Sequence, residues 1–303
     1  VKLYYTDVFV LPLPAGHRFP MEKYSRLREH LLASGEFSPD DFHTPTAASR
    51  EELQRAHDPA YIERVISGAL NAAELKRIGF PWSPGMVERS LRSAGATLAA
   101  CRTALAEGCS ANLAGGTHHA HADRGEGFCV FNDAAVAARA MLAEGRVRQV
   151  AIIDCDVHQG NGTAAILRGD DSVFTFSIHG ARNFPFEKES SDLDIELPDG
   201  TGDDAYLAAL DAGLKETFDR SQPELVIYLA GADPYVGDRL GRLNLSFAGL
   251  EARDRRVLAA CRERNIPVAL AMAGGYAQPI EDTVQIHAKT VSVANRMFSS
   301  ASA

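Results

Sequence analysis

The sequence predicts an α/β domain built on a parallel sheet with helices wound over both faces, and two features point there. Short apolar runs alternate along the chain with longer amphipathic stretches, the pattern of strands joined by helical crossovers. The segments richest in histidine, aspartate and glycine each follow one of those runs, where open parallel sheets gather their loops into one crevice. With 303 residues, 46% of them hydrophobic, the chain can bury a large core. No Pro/Ser/Gly-rich linker or charge block divides it, so residues 1–303 are expected to form a single domain.

In chain order, the first expected strand is 3–5, followed by an apolar run at 8–13 that is too short to span a membrane. That run follows Asp7 and carries Pro12, with Pro14 behind it, which suits no signal peptide. An Ala/Leu-rich amphipathic stretch at 87–106 reads as a packing helix. Strand 111–114, helix 133–144 and strands 149–153 and 173–177 come next, each strand short and apolar or β-rich. Helix 205–219, strand 225–230, helix 250–264 and strand 267–272 complete the alternation, and no internal repeat is evident.

Composition excludes some classes of function. The five cysteines, Cys101, Cys109, Cys129, Cys155 and Cys261, are scattered, odd in number and never spaced Cys-x-x-Cys, so they read as reduced thiols. A net charge of −9 argues against direct nucleic-acid binding, which needs clustered Lys and Arg. The same acidity mildly favours cationic peptides or amines as partners. A soluble, cytoplasmic protein is the expectation.

Chemistry concentrates in GGTHHA at 115–120, DCDVHQGNG at 154–162, GAD at 231–233 and AGGY at 273–276. Asp154, Asp156 and His158 are spaced by two, so an extended backbone points all three side chains the same way. Adding Asp233 gives an Asp/His/Asp set, and three protein ligands leave a fourth position for water, as catalytic zinc requires. Asp156, His158 and Asp233 are therefore the candidate zinc ligands. Acidic residues after strands also cap turns and form ion pairs, so this motif alone does not decide. Cys155 faces the other way and reads as packing. His118 and His119 follow a Gly-Gly turn and offer a general base and acid with pKa values near working pH; alone, such a pair is more often a surface accident or a structural pair.

These four motifs, with GFCVFND at 127–133 and GADPYVGDRLG at 231–241, resemble the histone deacetylase family in order and spacing over residues 15–290. HQGNG and GDRLG resemble the class IV enzymes and their bacterial relatives. The resemblance implies the arginase–deacetylase fold, an eight-stranded parallel sheet flanked by helices, and hydrolysis of an acylated lysine in a peptide or protein, or of a small acylated amine. It implies zinc on Asp156, His158 and Asp233, polarising the carbonyl and activating water, with Fe(II) as an alternative metal for so oxygen-rich a set. His119 becomes the general base, His118 its electrostatic partner, and Tyr276 the donor to the oxyanion. Asp154 hydrogen-bonds His118 and helps to hold a structural potassium ion near Ser177. Asn161 stands where class I enzymes carry an aspartate, so it orients His119 without supplying charge.

Along the substrate's path the resemblance places Gly127, Phe128, Phe184, Leu240 and Gly275. Leu240 stands in place of the glutamate by which polyamine-preferring members meet distant ammonium groups, making acylpolyamine hydrolysis the alternative activity rather than the expected one. The class IV-like motifs imply longer acyl chains over acetyl. An arginase-like dimetal site is opposed by Gly160, where that branch needs an acid. A non-catalytic acyl-lysine binder is opposed by the intact ligand, histidine and tyrosine set.

Overall fold

The computed structural model describes residues 1–299. Its strands are β1 (Lys2–Tyr4), β2 (Phe42–His43), β3 (Cys109–Asn112), β4 (Val150–Asp154), β5 (Val173–Gly180), β6 (Leu193–Leu197), β7 (Leu225–Leu229) and β8 (Val268–Ala271). All eight join one sheet in the order β2-β1-β3-β8-β7-β4-β5-β6, and every pairing is parallel. The helices are α1 (Lys23–Ala33), α2 (Arg50–Leu53), α3 (Pro59–Ser67), α4 (Ala72–Ile78), α5 (Pro84–Glu107), α6 (Asp133–Ala143), α7 (Asn161–Leu167), α8 (Asp203–Arg220), α9 (Phe247–Glu263) and α10 (Ile280–Phe298).

Strands buried on both faces sort their side chains alternately into two cores. Val150 and Ile152 of β4 and Leu225, Ile227 and Leu229 of β7 pack with α3, α5 and α6. Ala151, Ile153, Val226 and Tyr228 pack on the other face with α1, α8, α9 and α10. This is the doubly wound arrangement expected from the alternation. Helix α5 can lie close to the sheet because its inner face is small, with Ala94, Gly95, Ala96, Ala100 and Ala104 buried. A Cβ on Gly95 would fall 1.9 Å from the Thr46 carbonyl oxygen. Ser83 starts that helix by accepting a hydrogen bond from Met86 N, with Pro84 in its first turn.

Two strands were not expected. β2 has only two residues, and in β6 the polar Asp194 and Glu196 break the apolar run, as befits strands at the two edges of the sheet. The strand expected at 111–114 instead runs Cys109–Asn112. Asn112 Oδ1 accepts from Ala114 N at 2.9 Å, turning the chain out of the sheet towards the Gly-Gly turn. The five cysteines are buried and unpaired, and Cys155 packs with Ile153 and Val157 on the face opposite its acidic neighbours. No helix among the described residues is long and apolar enough to cross a membrane.

Candidate active site

The four motif loops leave the C-terminal ends of β3, β8, β7 and β4, which are consecutive at the centre of the sheet. Adjacent parallel strands set their following loops side by side, so the histidine pair, the tyrosine and the three candidate ligands converge in one crevice. The GGTHH turn is held by Asp133 at the start of α6, whose carboxylate accepts from Gly116 N (3.0 Å) and Thr117 N (2.8 Å). Gly115 and Gly116 have φ of 76° and 71°, values that side chains rarely adopt.

The result is a pair of dyads. His118 Nδ1 lies 2.6 Å from Asp154 Oδ2, His119 Nδ1 lies 2.6 Å from Asn161 Oδ1, and the two rings sit 4.2 Å apart. Burial alone pulls both imidazoles towards the neutral form. At His118 the Asp154 and Asp156 carboxylates outweigh that pull and raise the ring to about 9. His119 has no carboxylate partner, and burial beside the His118 and His158 charges takes it well below the usual histidine range. His118 is thereby biased towards the cationic form and His119 towards the neutral one, in which an Nδ1–H can donate to the Asn161 carbonyl oxygen.

Asp156, His158 and Asp233 present ligand atoms that all lie within 4.8 Å of one another, and all three residues are buried. They are the only group of three or more such ligands among the described residues. His158 Nδ1 stands 2.9 Å from Asp156 Oδ1 and 3.1 Å from Asp233 Oδ2. The second oxygens are already taken, since Asp156 Oδ2 accepts from Gly274 N at 2.7 Å and Asp233 Oδ1 from Val157 N at 2.9 Å. Asp233 Oδ2, in contrast, is buried with no well-directed hydrogen-bond donor, only the edge of the His158 ring at 3.1 Å, an expensive state unless a cation meets it. Two buried carboxylates around one imidazole call for positive charge: burial and repulsion from Asp156 push Asp233 up to about 7. An Asp/His/Asp set with one orphaned oxygen fits a divalent metal.

Tyr276 completes the ring, its side chain 6.5 Å from the His158 ring centre to centre. Burial, with Asp233 and Asp156 nearby, holds its phenol far above the usual range, so it remains a hydrogen-bond donor. Its position depends on residues outside the expected site. Asp238 Oδ2 accepts from Tyr276 N at 2.6 Å, while Oδ1 takes Leu240 N and Gly241 N at 2.8 and 2.9 Å. Lys23, buried in α1, donates to the carbonyls of Ala273 (3.2 Å) and Gly275 (3.4 Å) and lies 5.3 Å from the centre of the Tyr276 ring. Asn161 is also backed: its Nδ2 lies 3.4 Å from Glu126 Oε2 and 3.3 Å from His121 Nε2. The carboxylate accepts only, so it turns the amide nitrogen away from His119 and the carbonyl oxygen towards it.

Two cavities meet at His119, His158 and Tyr276. The outer, of about 540 Å³, opens to solvent past Phe184 and Leu240, and the inner, of about 70 Å³, runs on between Leu11, Phe19, Tyr24 and Phe80. Gly127 and Phe128 line both. A Cβ at Gly127 would stand 2.7 Å from the His119 ring. Phe128 takes a left-handed φ of 67°, a strained position for a bulky residue, held by Phe128 N donating to Ile78 O at 2.7 Å. The Phe184 ring lies 4.9 Å from that of His119. Gly275 bends the loop at φ 154° against Ala232 and Thr283, beneath the cavity wall rather than on it. Asp154 Oδ1 accepts from Asp156 N at 3.0 Å, and Asp154 is the register partner of Ser177, the pair expected beside potassium.

Residues 17–291 match the histone deacetylase domain family. Histone deacetylase 2 of Arabidopsis thaliana is 32% identical over 292 residues, covering 92% of this chain and 76% of its own. A histone deacetylase-like amidohydrolase of Pseudomonas aeruginosa is 33% identical over 287 residues, with 88% and 74% covered. The crystal structure of an HDAC homolog from Aquifex aeolicus superposes with a TM-score of 0.81 at 24% identity, covering 99% of this chain and 88% of that one, a likeness of fold. The domain match and these relatives, on a fold of eight parallel strands, make the chain a member of the histone deacetylase family.

Proposed function

We propose that this protein is a zinc-dependent deacylase that hydrolyses the amide bond of an acylated lysine. The observation that carries this is the convergence of the Asp156/His158/Asp233 set with the side chains of His119 and Tyr276 where two cavities meet. Zinc bound there would polarise the substrate carbonyl and acidify water, and the same oxygen-rich ligands suit Fe(II).

The protein's own groups do the rest. His119 Nε2 takes a proton from water as its oxygen attacks the amide carbon, while Asn161 holds the opposite nitrogen as the N–H. The phenol of Tyr276 donates to the oxygen that gains charge. His118, kept cationic by Asp154, stabilises that charge without moving. The proton on His119 then passes to the amide nitrogen, the C–N bond breaks, and the amine leaves by the outer cavity. Potassium beside Asp154 and Ser177 would hold the dyad's far side in place.

On acyl length the shape of the inner cavity favours a different reading from the longer chains that the class IV resemblance implies. It measures about 70 Å³ between Leu11, Phe19, Tyr24 and Phe80, a space that suits a short acyl group. Across acetyl, butyryl, octanoyl and myristoyl versions of one peptide, kcat/KM is expected to fall beyond butyryl; a rise towards myristoyl would show that Phe19 and Phe80 move aside. The assignment itself is tested by measuring bound metal together with acid released from an acetyl-lysine peptide. One zinc per chain and free acetate are expected, whereas a metal-loaded protein that releases none would be a binder and not an enzyme.

A further inference from the structure

The chain as a whole is acidic, with 40 Asp and Glu against 31 Lys and Arg, yet the mouth of its outer cavity is not. Five cationic side chains line that cavity, Arg18, Lys76, Arg77, Arg182 and Arg242, against one carboxylate, Glu126. Glu126 is half-buried and engaged inward with Asn161 and His121. Arg242 pairs with Asp199 at 3.3 Å. Arg18, Lys76, Arg77 and Arg182 are exposed, and none has a side-chain hydrogen bond or ion pair among the described residues.

We infer that this mouth selects acyl-lysines flanked by aspartate or glutamate, and disfavours both polybasic peptides and polyamines. The inference rests on the deacylase proposal and names its substrate class. The cations belong to four separate segments: the loop before α1, the end of α4, the turn after β5 and the loop beyond Leu240. Cations distributed around a rim match charges distributed along an extended peptide better than one compact anion. Like charges concentrated at the mouth of a low-dielectric cavity focus the field there and raise the local concentration of opposite charge. The distant ammonium groups of a polyamine meet the reverse, with Leu240 and the phenylalanines of the mouth offering them no carboxylate.

The test uses the zinc-loaded protein and three acetyl-lysine peptides of equal length, flanked by Asp, Ser or Lys. Free Nε-acetyl-lysine and N-acetylspermidine are the small-molecule arms. At low salt kcat/KM is expected to fall from Asp to Ser to Lys, the extremes differing on the order of tenfold or more. The gap should narrow as added salt shortens the screening length. Arg77→Glu/Arg182→Glu, at two exposed positions, should bring the Lys-flanked peptide level with or above the Asp-flanked one. Fluorescence anisotropy with labelled peptides and Tyr276→Phe protein reads binding apart from turnover. Peptides hydrolysed with no charge order, or best when basic, would overturn the inference and leave the deacylase proposal standing. Acidic peptides bound selectively but never hydrolysed would overturn the deacylase proposal and keep the charge selection. Free acetyl-lysine turned over as well as the Asp-flanked peptide would overturn the peptide assignment, and N-acetylspermidine as the best substrate would overturn the inference.

Discussion

At the scale of single residues, Tyr276 and Asn161 carry opposite kinds of test. Tyr276→Phe deletes one donor and no candidate ligand, so the variant should fold and keep its zinc while kcat falls by about 10²–10³-fold; near-normal turnover would remove the phenol from the chemistry. Asn161→Asp puts a carboxylate 2.6 Å from His119 Nδ1. That stabilises the imidazolium, raises the pKa of the base and moves the acidic limb of kcat/KM to higher pH. The new carboxylate also faces Glu126 across the 3.4 Å now spanned by an amide hydrogen bond, so Asn161→Asp with Glu126→Gln should be the more stable protein and show the larger shift. An unmoved or lowered limb in both would separate His119 from position 161. The sequence displayed these residues because their types are chemically costly to bury. It did not display Lys23, Asp238 or Glu126, each of which reaches the site through at least one partner far away in sequence. Lys23, for one, bonds Ala273 across 250 residues, and nothing local marks such a pairing.

At the scale of elements, the loop after β8 is built around the absence of a side chain. A Cβ on Gly274 would fall 2.0 Å from Asp233 Oδ2 and 2.6 Å from Asp156 Oδ2. Gly274→Ala should therefore cost metal affinity at least tenfold while the circular-dichroism spectrum stays that of the parent. Full zinc occupancy at the parent's affinity would show that the ligands can shift to make room. The central strands were legible for a physical reason: covered by helices on both faces, they read as unbroken apolar runs. Strands β2 and β6 lie at the edges, and helices such as α4 and α7, of seven residues each, are too short to establish a period. Helix α10 is long enough, with nine buried residues on its inner face. Thr283, His287 and Thr290 share that face with its apolar residues, yet the helical period is clear, so this helix was legible although absent from the expected elements.

At the scale of the whole molecule, the metal site and the stability of the fold are coupled, because the ligands come from loops of two adjacent central strands, β4 and β7. Removing metal leaves two buried carboxylates short of a cation, so the chelated protein should unfold at a lower temperature than the zinc-loaded one. Zinc at a thousandfold excess over Kd adds about 4 kcal/mol, a rise in Tm on the order of ten degrees. Equal melting curves would place any bound metal elsewhere. The net charge was the least informative whole-chain quantity, since the cationic mouth lies on loops far apart in sequence and vanishes in the sum. The order of the sheet has a consequence in time. Strand β8 is the last of the eight to be synthesised, yet it lies between β3 and β7. While the nascent chain ends short of Val268, β1, β2 and β3 have no hydrogen-bonded connection to β4, β5, β6 and β7. The histidine pair and the candidate metal ligands are then joined through the dyads and the packing of α6, not through the sheet, and the Tyr276 loop is still to come. A nascent chain of that length lacks both the closing strand and Tyr276, so the proposed site is completed only once β8 and the loop after it have been made.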